Sequence, residues 1–381
     1  MIYLNRFKIR TWNKRRKNGN FAWWTHLLPI KKKKIVFTSH HGNGFGDSPK
    51  YIALALLDKE FELVWLVRQK NAAIPSGIRQ VEYGTREALC ELATAEIWID
   101  NCRKRFYPPK KKTQVYIQTW HSPLRLKQIE RDAEQELPSA YVIQAKQDAK
   151  MCDYMISGSS FSTELYRNSF WFKGEILEVG TPRCDLFFQV QHRLKDRTRY
   201  VLYAPTFRED STTDAYLKDF ERVRKTLQRL GYSEWKVWVR LHPNLRQDTA
   251  TFDFTFSENV IDMSDYPDIQ ELLNQADWLI TDYSSSMFDQ LIARKRCLLY
   301  VPDEVVYQRQ ERSFYFKLDE LPFPKSRTIQ ELEQAIVNWD ETAYQRDVAA
   351  FHTRVETYET GHATEKIVQK IQEICKGDNY A

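Results

Sequence analysis

The stretch 278–289 constrains the fold of this chain more than any other. A short apolar run ends at Thr281, three serines follow, and Met287 and Phe288 then open a run of apolar residues at helical spacing. Short apolar runs bounded by turn residues are typical of buried strands, so this stretch predicts a strand, a hydroxyl-rich turn and a helix. A helix that starts after a parallel strand offers free N–H groups to an anion. The turn therefore predicts a phosphate site; the alternative is a serine that only caps the helix.

The residues before and after this stretch continue the same pattern. Residues 236–241 and 297–301 have the composition of two further buried strands. Between the first of them and the serines, an apolar stripe over 269–276 predicts a helix that Ser264 or Asp265 caps. Strands that alternate with helices indicate a parallel, doubly wound α/β sheet, whose strands all end at one edge.

The first half of the chain repeats this alternation. A strand at 35–39 leads into a glycine-rich turn and then into a helical pattern. The glycines of that turn lack the spacing of the dinucleotide fingerprint, so the sequence excludes a nicotinamide cofactor. Another strand, at 115–120, ends at His121, and a histidine beside a cleft at the end of a strand is a candidate general base. The alternative for His121 is a hydrogen-bonded structural histidine.

Size and composition narrow the class of protein. A chain of 381 residues with 42% hydrophobic residues can fill the cores of two domains. A net charge of +6 permits an anionic substrate or membrane surface, whereas the basic residues beyond the N-terminus are too scattered to indicate nucleic-acid binding. Six cysteines without metal-ligand spacing favour a reducing, cytosolic compartment. We expect no signal peptide and no membrane-spanning segment, because no apolar run reaches about 18 residues.

Residues 1–34 differ from the rest of the chain. Trp23 and Trp24 lie in a short apolar stretch between basic residues, and four lysines follow at 31–34. Tryptophan prefers the membrane interface, and each lysine near anionic lipid contributes about 1 kcal/mol to binding. The pattern predicts a peripheral contact with an anionic membrane surface; the alternative is a solvated basic arm whose tryptophans pack on the domain.

Six motifs follow one another along most of the chain. They are Gln118-Thr119-Trp120-His121, Gly180-Thr181-Pro182-Arg183-Cys184-Asp185, Tyr203-Ala204-Pro205-Thr206-Phe207-Arg208, Arg240-Leu241-His242-Pro243, Asp265-Tyr266-Pro267-Asp268, and Thr281-Asp282-Tyr283-Ser284-Ser285 with Phe288-Asp289. Together they resemble the CDP-glycerol glycerophosphotransferase family of teichoic-acid and related polymer synthesis. The resemblance implies a GT-B arrangement, in which two doubly wound Rossmann-like domains face each other across a cleft.

The resemblance also implies a reaction. Glycerol phosphate would pass from CDP-glycerol to a hydroxyl of a lipid-linked glycan or growing polymer, in teichoic-acid-like or capsule polymer synthesis, and CMP would be released. The only small molecule implied is the CDP-glycerol substrate, since neither a cofactor nor a metal is expected. Three alternatives stay open: transfer of ribitol phosphate from CDP-ribitol, a GT-B glycosyltransferase that uses a nucleotide sugar, and a non-catalytic scaffold of a polymer-synthesis complex.

The same resemblance implies roles for individual residues. His121 would be the base, although this chain continues with Ser122 and Pro123 where the family has Gly-Thr. His242 would act with Arg240 in binding the diphosphate or assisting the departure of CMP. Among the other residues, Thr281, Ser284 and Ser285 would hold phosphate oxygens, Asp282 and Asp289 would orient neighbouring groups, Arg208 and Arg312 would add phosphate contacts, and Asp47, Lys50 and Arg125 would lie on the acceptor side.

These expectations define a domain plan. We expect a membrane-contact segment at 1–34, an acceptor-side α/β domain at 35–190, a CDP-donor-binding α/β domain at 198–345, and C-terminal helices at 346–381 that pack back towards the first domain. The protein would act at the cytoplasmic face of the cell membrane as a peripheral protein, without a nucleic-acid partner.

Overall fold

The structure, a computed structural model, describes most of the chain as two lobes, each built on its own parallel sheet. We number the lobes in chain order. The predicted site residue His242, and residues 1–21 of the predicted membrane-contact segment, lie outside the described residues. The described stretches are 22–189, 198–208, 216–231, 234–241 and 256–377.

The first lobe is built on a seven-stranded parallel sheet. Its strands are β1 (Lys31–Thr38), β2 (Glu62–Val67), β3 (Ile78–Glu82), β4 (Ala95–Asp100), β5 (Val115–Gln118), β6 (Tyr154–Ser157) and β7 (Glu175–Glu178). They pair in the order β3-β2-β1-β4-β5-β6-β7. Ile35, Val36 and Phe37 in the centre are fully buried, as expected where helices cover both faces of a parallel sheet.

The helices of this lobe follow the strands as the sequence pattern predicts. They are α1 (Asp47–Ala55), α2 (Arg86–Thr94), α3 (Ser139–Met151) and α4 (Ser160–Ser169). Thr85 caps α2 and Ser159 caps α4, each by accepting a hydrogen bond from a backbone N–H of the first turn. Helix α1 starts directly after the glycine-rich turn, so Asp47 lies at the carboxyl end of the sheet.

The second lobe has a six-stranded parallel sheet, which confirms the predicted α/β class. Its strands are β8 (Arg199–Tyr203), β9 (Trp235–Val239), β10 (Val260–Asp262), β11 (Trp278–Thr281), β12 (Arg296–Tyr300) and β13 (Lys325–Ser326). The order is β10-β9-β8-β11-β12-β13, so the strand that precedes the serines is central. Burial of every residue of β11 explains its continuous apolar sequence.

One predicted helix cap in this lobe is wrong. Helix α6 is capped by Asp268, whose Oδ1 accepts a hydrogen bond from Gln270 N at 3.0 Å. Ser264 instead accepts a hydrogen bond from Leu241 N at 3.0 Å, a contact with a residue 23 positions earlier. The helices of this lobe are α5 (Phe220–Gln228), α6 (Ile269–Gln275), α7 (Ser286–Ile292), α8 (Glu304–Gln310) and α9 (Ile329–Val337).

The last two helices divide between the lobes. Helix α10 (Glu341–Val355) packs Val348 and Phe351 into the core of the second lobe. Helix α11 (Ala363–Lys376) packs Ile367 and Ile371 into the core of the first lobe. Across the described stretches, every helix is too short or too polar to span a bilayer.

Polar contacts join the two lobes, and we call these contacts the seam. They connect α1 and the segment that follows β7 to α6 and α7, and they connect the loop after His121 to the segment that follows α8. The contacts are Lys50 Nζ to Asp268 Oδ2 at 2.7 Å, Arg183 Nη2 to Asp289 Oδ2 at 2.6 Å, and an antiparallel bridge between Lys127 and Phe314.

Candidate active site

The carboxyl ends of three neighbouring strands of the first lobe bring His40, Asn101 and His121 together. His40 follows β1, Asn101 follows β4 and His121 lies just beyond β5. The Nδ1 atom of His121 lies 2.8 Å from the backbone oxygen of Asn101. A carbonyl oxygen can only accept a hydrogen bond, so Nδ1 carries the ring proton and Nε2 keeps a free lone pair. This is the tautomer that a general base needs.

The surroundings of His121 keep its ring neutral. The ring stacks on Trp120 with centroids 4.6 Å apart, and the ring of His40 lies 6.0 Å away. Burial and the nearby charge of His40 lower the pKa of His121 to about 4. At neutral pH the imidazole is therefore unprotonated at Nε2 and ready to take a proton.

Backbone strain is concentrated around this histidine. His40, His41, Asp47 and Trp120 have φ angles of 44°, 59°, 61° and 53°, in the left-handed region that residues with a Cβ rarely adopt. Each such residue costs roughly 1–2 kcal/mol. Strained residues persist where the surrounding structure holds them, and they cluster at functional sites.

The buried carboxylate of Asp47 lies next to His40 and Asn101. Asp47 Oδ2 accepts hydrogen bonds from Asn101 Nδ2 at 3.0 Å and from Arg183 Nη1 at 3.2 Å, and His40 Nε2 lies 3.5 Å away. Burial alone would raise the pKa of Asp47, but Arg183 and His40 outweigh it and hold this pKa well below its usual range. Asp47 is therefore ionised next to the histidine pair.

In the second lobe, β11 ends at the serine turn, residues 284–286. Asp282, just before the turn, is a buried carboxylate with a full set of donors. It accepts hydrogen bonds from Thr206 N and Oγ1 and from Tyr283 N, and it pairs with Arg208 Nη1 at 2.5 Å. Arg208 also forks onto Asp303, with Nε 2.8 Å and Nη2 3.2 Å from its two oxygens. This ion-pair group fixes the backbone that leads into the turn.

The hydroxyls near the turn are engaged to different degrees. Thr281 is buried and donates to Ala204 O at 2.7 Å. Ser284 Oγ accepts hydrogen bonds from Ser286 N and Oγ, so its own proton is left to donate. Ser285 is half-buried at the start of α7, and its side chain makes no hydrogen bond to any described residue. Ser284 and Ser285 thus keep donors for a ligand.

Three cations lie near this edge of the second lobe. Arg240 donates to the backbone oxygens of Met263 and Tyr266. Arg312 is half-buried and forms no hydrogen bond or ion pair within the described stretches. Lys127, from the first lobe, pairs with Glu311 at 3.2 Å and lies 4.8 Å from the centre of a tyrosine ring. Burial and the charge of Arg312 lower the pKa of Lys127.

The three residues predicted on the acceptor side, Asp47, Lys50 and Arg125, have different surroundings in the structure. Asp47 lies next to the histidine pair, as described above. Lys50 is paired across the seam with Asp268 and Glu271, both at 2.7 Å. Arg125 is buried; its Nη2 donates to Ser122 O and Tyr166 Oη, whereas its Nε and Nη1 have no hydrogen-bond partner among the described residues. Only Asp47 of the three is in hydrogen-bond contact with the group around His121.

Sequence reasoning missed several residues of this site. Asn101 follows a strand at the same sheet edge, which is a usable signal, but its contact with His121 is made by a backbone oxygen that any residue has. Arg183 stands in one of the six motifs, without a predicted role, and Lys127 lies two residues beyond the predicted acceptor-side residue Arg125. Within the described part of the chain, no group of three or more His, Cys, Asp or Glu side chains could hold a metal ion.

Comparison with curated proteins finds similar sequences of known activity. The teichoic acid poly(glycerol phosphate) polymerase of Bacillus spizizenii is 29% identical over 371 residues, which cover 91% of this chain and 93% of that protein. The protein of the same name from Bacillus subtilis is 30% identical, over 90% of this chain. This chain spans 49% of the Bacillus subtilis protein and 51% of the one from Staphylococcus epidermidis.

Solved structures give the same result. The wall teichoic acid polymerase TagF has a TM-score of 0.79 and 27% identity, with 99% of both chains covered. Another structure of that protein is of a variant soaked with CDPG. Staphylococcus aureus MnaA in complex with UDP has a TM-score of 0.51 at 14% identity, covers 90% of this chain and 97% of that one, and so shares the fold alone. The two lobes therefore form a GT-B-like fold.

The match to a protein family covers nearly the whole described chain. The family is described as CDP-glycerol:poly(glycerophosphate) glycerophosphotransferase, and it matches residues 21–373. The matched range includes His121, the serine turn and the residues of both lobes that form the seam. The chain therefore belongs to the CDP-glycerol:poly(glycerophosphate) glycerophosphotransferase family.

Proposed function

We propose that this glycerophosphotransferase moves glycerol phosphate from CDP-glycerol to a hydroxyl of a lipid-linked glycan or growing polymer and releases CMP. The observation that carries the proposal is the 2.8 Å contact between His121 Nδ1 and Asn101 O, which puts the ring proton on Nδ1 and leaves Nε2 without a partner among the described residues. Relatives named for glycerol phosphate are 26–30% identical to this chain, whereas those named for ribitol phosphate are 22–27% identical. Glycerol is therefore the first polyol to test.

The proposed reaction is an in-line substitution at phosphorus. Nε2 of His121 takes the proton of the acceptor hydroxyl, and the oxygen attacks the phosphorus that carries glycerol. A new phosphodiester bond forms as the bond to the bridging oxygen of the diphosphate breaks. CMP leaves with that oxygen, and the proton remains on His121 until solvent removes it.

The donor diphosphate would bind at the serine turn. Ser284 and Ser285 have hydroxyl protons to donate, and Arg312, whose guanidinium pairs with no described residue, can neutralise phosphate charge. Arg240 would bind from the neighbouring strand end, together with His242. Arg208, Asp282 and Thr281 are satisfied by protein partners, so we assign them to shaping the turn.

The acceptor would approach His121 from the first lobe. Asp47 would hold Asn101, which contacts the base His121. Lys50 and Arg125 would act on the acceptor from positions further from His121. The acceptor of such a reaction is held at a membrane by its lipid, which fits a peripheral contact at the cytoplasmic face. Trp23 and Leu27 in the described part of the predicted contact segment are 60% and 76% exposed, which supports this placement.

The first experiment measures CMP release from CDP-glycerol with membrane lipid extract as acceptor. Wild type, His121→Ala and His242→Ala are compared, with His362→Ala as the control because His362 is exposed at the N-cap of α11. Release that requires the acceptor, is retained in the control and collapses in the other two variants is the expected result. No release by folded wild type with several acceptors would refute the proposal.

Three further arms separate the alternatives. CDP-ribitol in place of CDP-glycerol tests the polyol, and a panel of nucleotide sugars tests a glycosyltransferase. A chain that binds membranes and partner enzymes but turns over none of these donors would be a scaffold. Chelation of divalent cations in the same assay tests the expectation that no metal is required.

A further inference from the structure

Arg183 connects the two halves of the candidate site. It lies in the segment Pro182–Phe188, after the last strand of the first lobe, and its side chain is buried. Its Nε and Nη2 donate to the two oxygens of Asp289 at 3.1 and 2.6 Å. Its Nη1 donates to Asp47 at 3.2 Å. One guanidinium thus joins a carboxylate of each lobe.

The two carboxylates belong to opposite halves of the site. Asp289 lies in α7, the short helix that begins at the serine turn. Asp47 begins α1 and accepts a hydrogen bond from Asn101, whose backbone oxygen holds His121 Nδ1. A continuous series of contacts therefore runs from the serine turn through Arg183 to the base.

On the basis of the proposed function, we propose that Arg183 is a positioning residue that sets the geometry and the protonation of His121 relative to the serine turn. The fork geometry of a guanidinium suits this task, because it fixes two carboxylates in one plane. Direct contact with substrate is not part of the proposal.

Arg183 acts on His121 through its charge as well as through the geometry of its guanidinium. The charged or titratable groups around His121 are His40, Asp47, Arg183 and the thiol of Cys102, whose Sγ lies 3.9 Å from Nδ1. Arg183 contributes to lowering the pKa of His121 and also neutralises Asp47, which would raise it. Loss of Arg183 removes both effects, so the pKa of His121 should move up towards its ordinary value.

The loop that carries Arg183 is itself held in place. Glu359, from the segment between the last two helices, accepts hydrogen bonds from Thr181 N at 2.9 Å and from Thr181 Oγ1 at 2.6 Å. Gly180 has a φ of 96° and little room for a Cβ, so the turn into Arg183 requires glycine. The position of the guanidinium is thus determined by the fold and does not depend on a ligand.

The test compares Arg183→Met and Arg183→Lys with wild type. Arg199→Met is the matched control, because Arg199 also pairs with an aspartate, Asp277, whose side chain is 7% exposed, but at the opposite end of the second sheet. The first readout is the titration of the His121 imidazole by NMR of histidine-labelled protein without substrate, assigned by the loss of its signal in His121→Gln. The second readout is kcat and KM for CMP release.

We expect the His121 signal of wild type and Arg199→Met to stay neutral down to about pH 5. In Arg183→Met, the titration midpoint should rise, and kcat should fall roughly 10²-fold with little change in KM for CDP-glycerol. In Arg183→Lys, which keeps the charge but loses the fork, the midpoint should stay near that of wild type while kcat falls about 10-fold.

Each result decides between the proposals. An unchanged His121 midpoint and an unchanged kcat in folded Arg183→Met would overturn the role of Arg183. If Arg183→Met does not fold, wild-type kcat in Arg183→Lys would overturn it. If wild type releases no CMP from CDP-glycerol, the proposed function fails, and the titration, which needs no turnover, still decides whether Arg183 controls the protonation of His121.

Discussion

The two lobes hold their polar groups in opposite ways. In the first lobe, strained backbone holds His121 with one ring nitrogen satisfied and the other free. In the second lobe, Asp282 and Arg208 satisfy each other and their neighbours, and the free groups are small hydroxyls beside them. A free lone pair on a neutral ring suits a proton, whereas free hydroxyls and an unengaged arginine suit an anion. For this reason we propose proton transfer in the first lobe and phosphate binding in the second.

The largest expected effect is the loss of kcat when His121, the proposed base, is replaced. His121→Gln removes the base but keeps a side chain of similar size, so kcat should fall roughly 10²–10⁴-fold. Binding of CDP-glycerol, measured by calorimetry, should stay within about twofold of wild type, because the donor would bind in the other lobe. A variant that keeps its kcat but loses donor affinity would reverse the assignment of the two lobes. His362→Gln serves as the control.

Asp282→Asn tests whether Asp282 stabilises the second lobe or is available to contact a ligand. Removing this charge leaves Asp303 as the one carboxylate that pairs with Arg208 among the described residues, and a broken buried ion pair costs about 3–5 kcal/mol of unfolding free energy. Chemical denaturation should therefore show a large loss of stability, whereas Asp347→Asn, at an exposed ion pair on α10, should show almost none. Equal stability of the two variants would mean that Asp282 is free to contact the ligand.

Arg312→Gln probes the anion side. Loss of one charge-assisted contact to phosphate should weaken CDP-glycerol binding by about 10- to 100-fold and leave kcat at saturating donor nearly unchanged. Arg354→Gln, which removes an exposed arginine paired with Glu320, is the matched control. A fall in kcat with normal donor affinity would place Arg312 in the chemical step.

The smallest expected effect is the pH dependence near neutrality. The pKa of His121 is lowered to about 4, so its neutral form is present above that value and is lost as pH falls through it. The dependence of kcat/KM on pH should therefore be nearly flat between about pH 6 and about pH 8, with an acidic limb well below. An acidic limb near the ordinary histidine value would show that another group acts as the base.

The sequence alone could predict the α/β class and the strand ends at which the candidate residues lie. Short apolar runs such as β11 are visible because a buried parallel strand has little choice of residue, and the residue after the strand is then fixed at the sheet edge. For this reason both His121 and the serine turn were found at strand ends.

The partners of those residues could not be predicted, because they come from distant parts of the chain. Asp268 caps α6 in place of Ser264, whose Oγ accepts a hydrogen bond from the backbone N of Leu241, 23 positions earlier. Arg208 has two carboxylates within reach, and nothing in its own motif indicates them. Lys50, predicted on the acceptor side, is paired with two acidic residues more than 200 positions later.

The return of α11 to the first lobe has a consequence for synthesis of the protein on the ribosome. Ile367 and Ile371 fill a core of the sheet whose first strand starts at Lys31, so that core stays open until the chain has been synthesised past Ile371. Folding of the first lobe should then depend on chaperones or on early docking of the second lobe during translation. For the same reason, a recombinant fragment that stops after the first sheet should expose this apolar surface and aggregate.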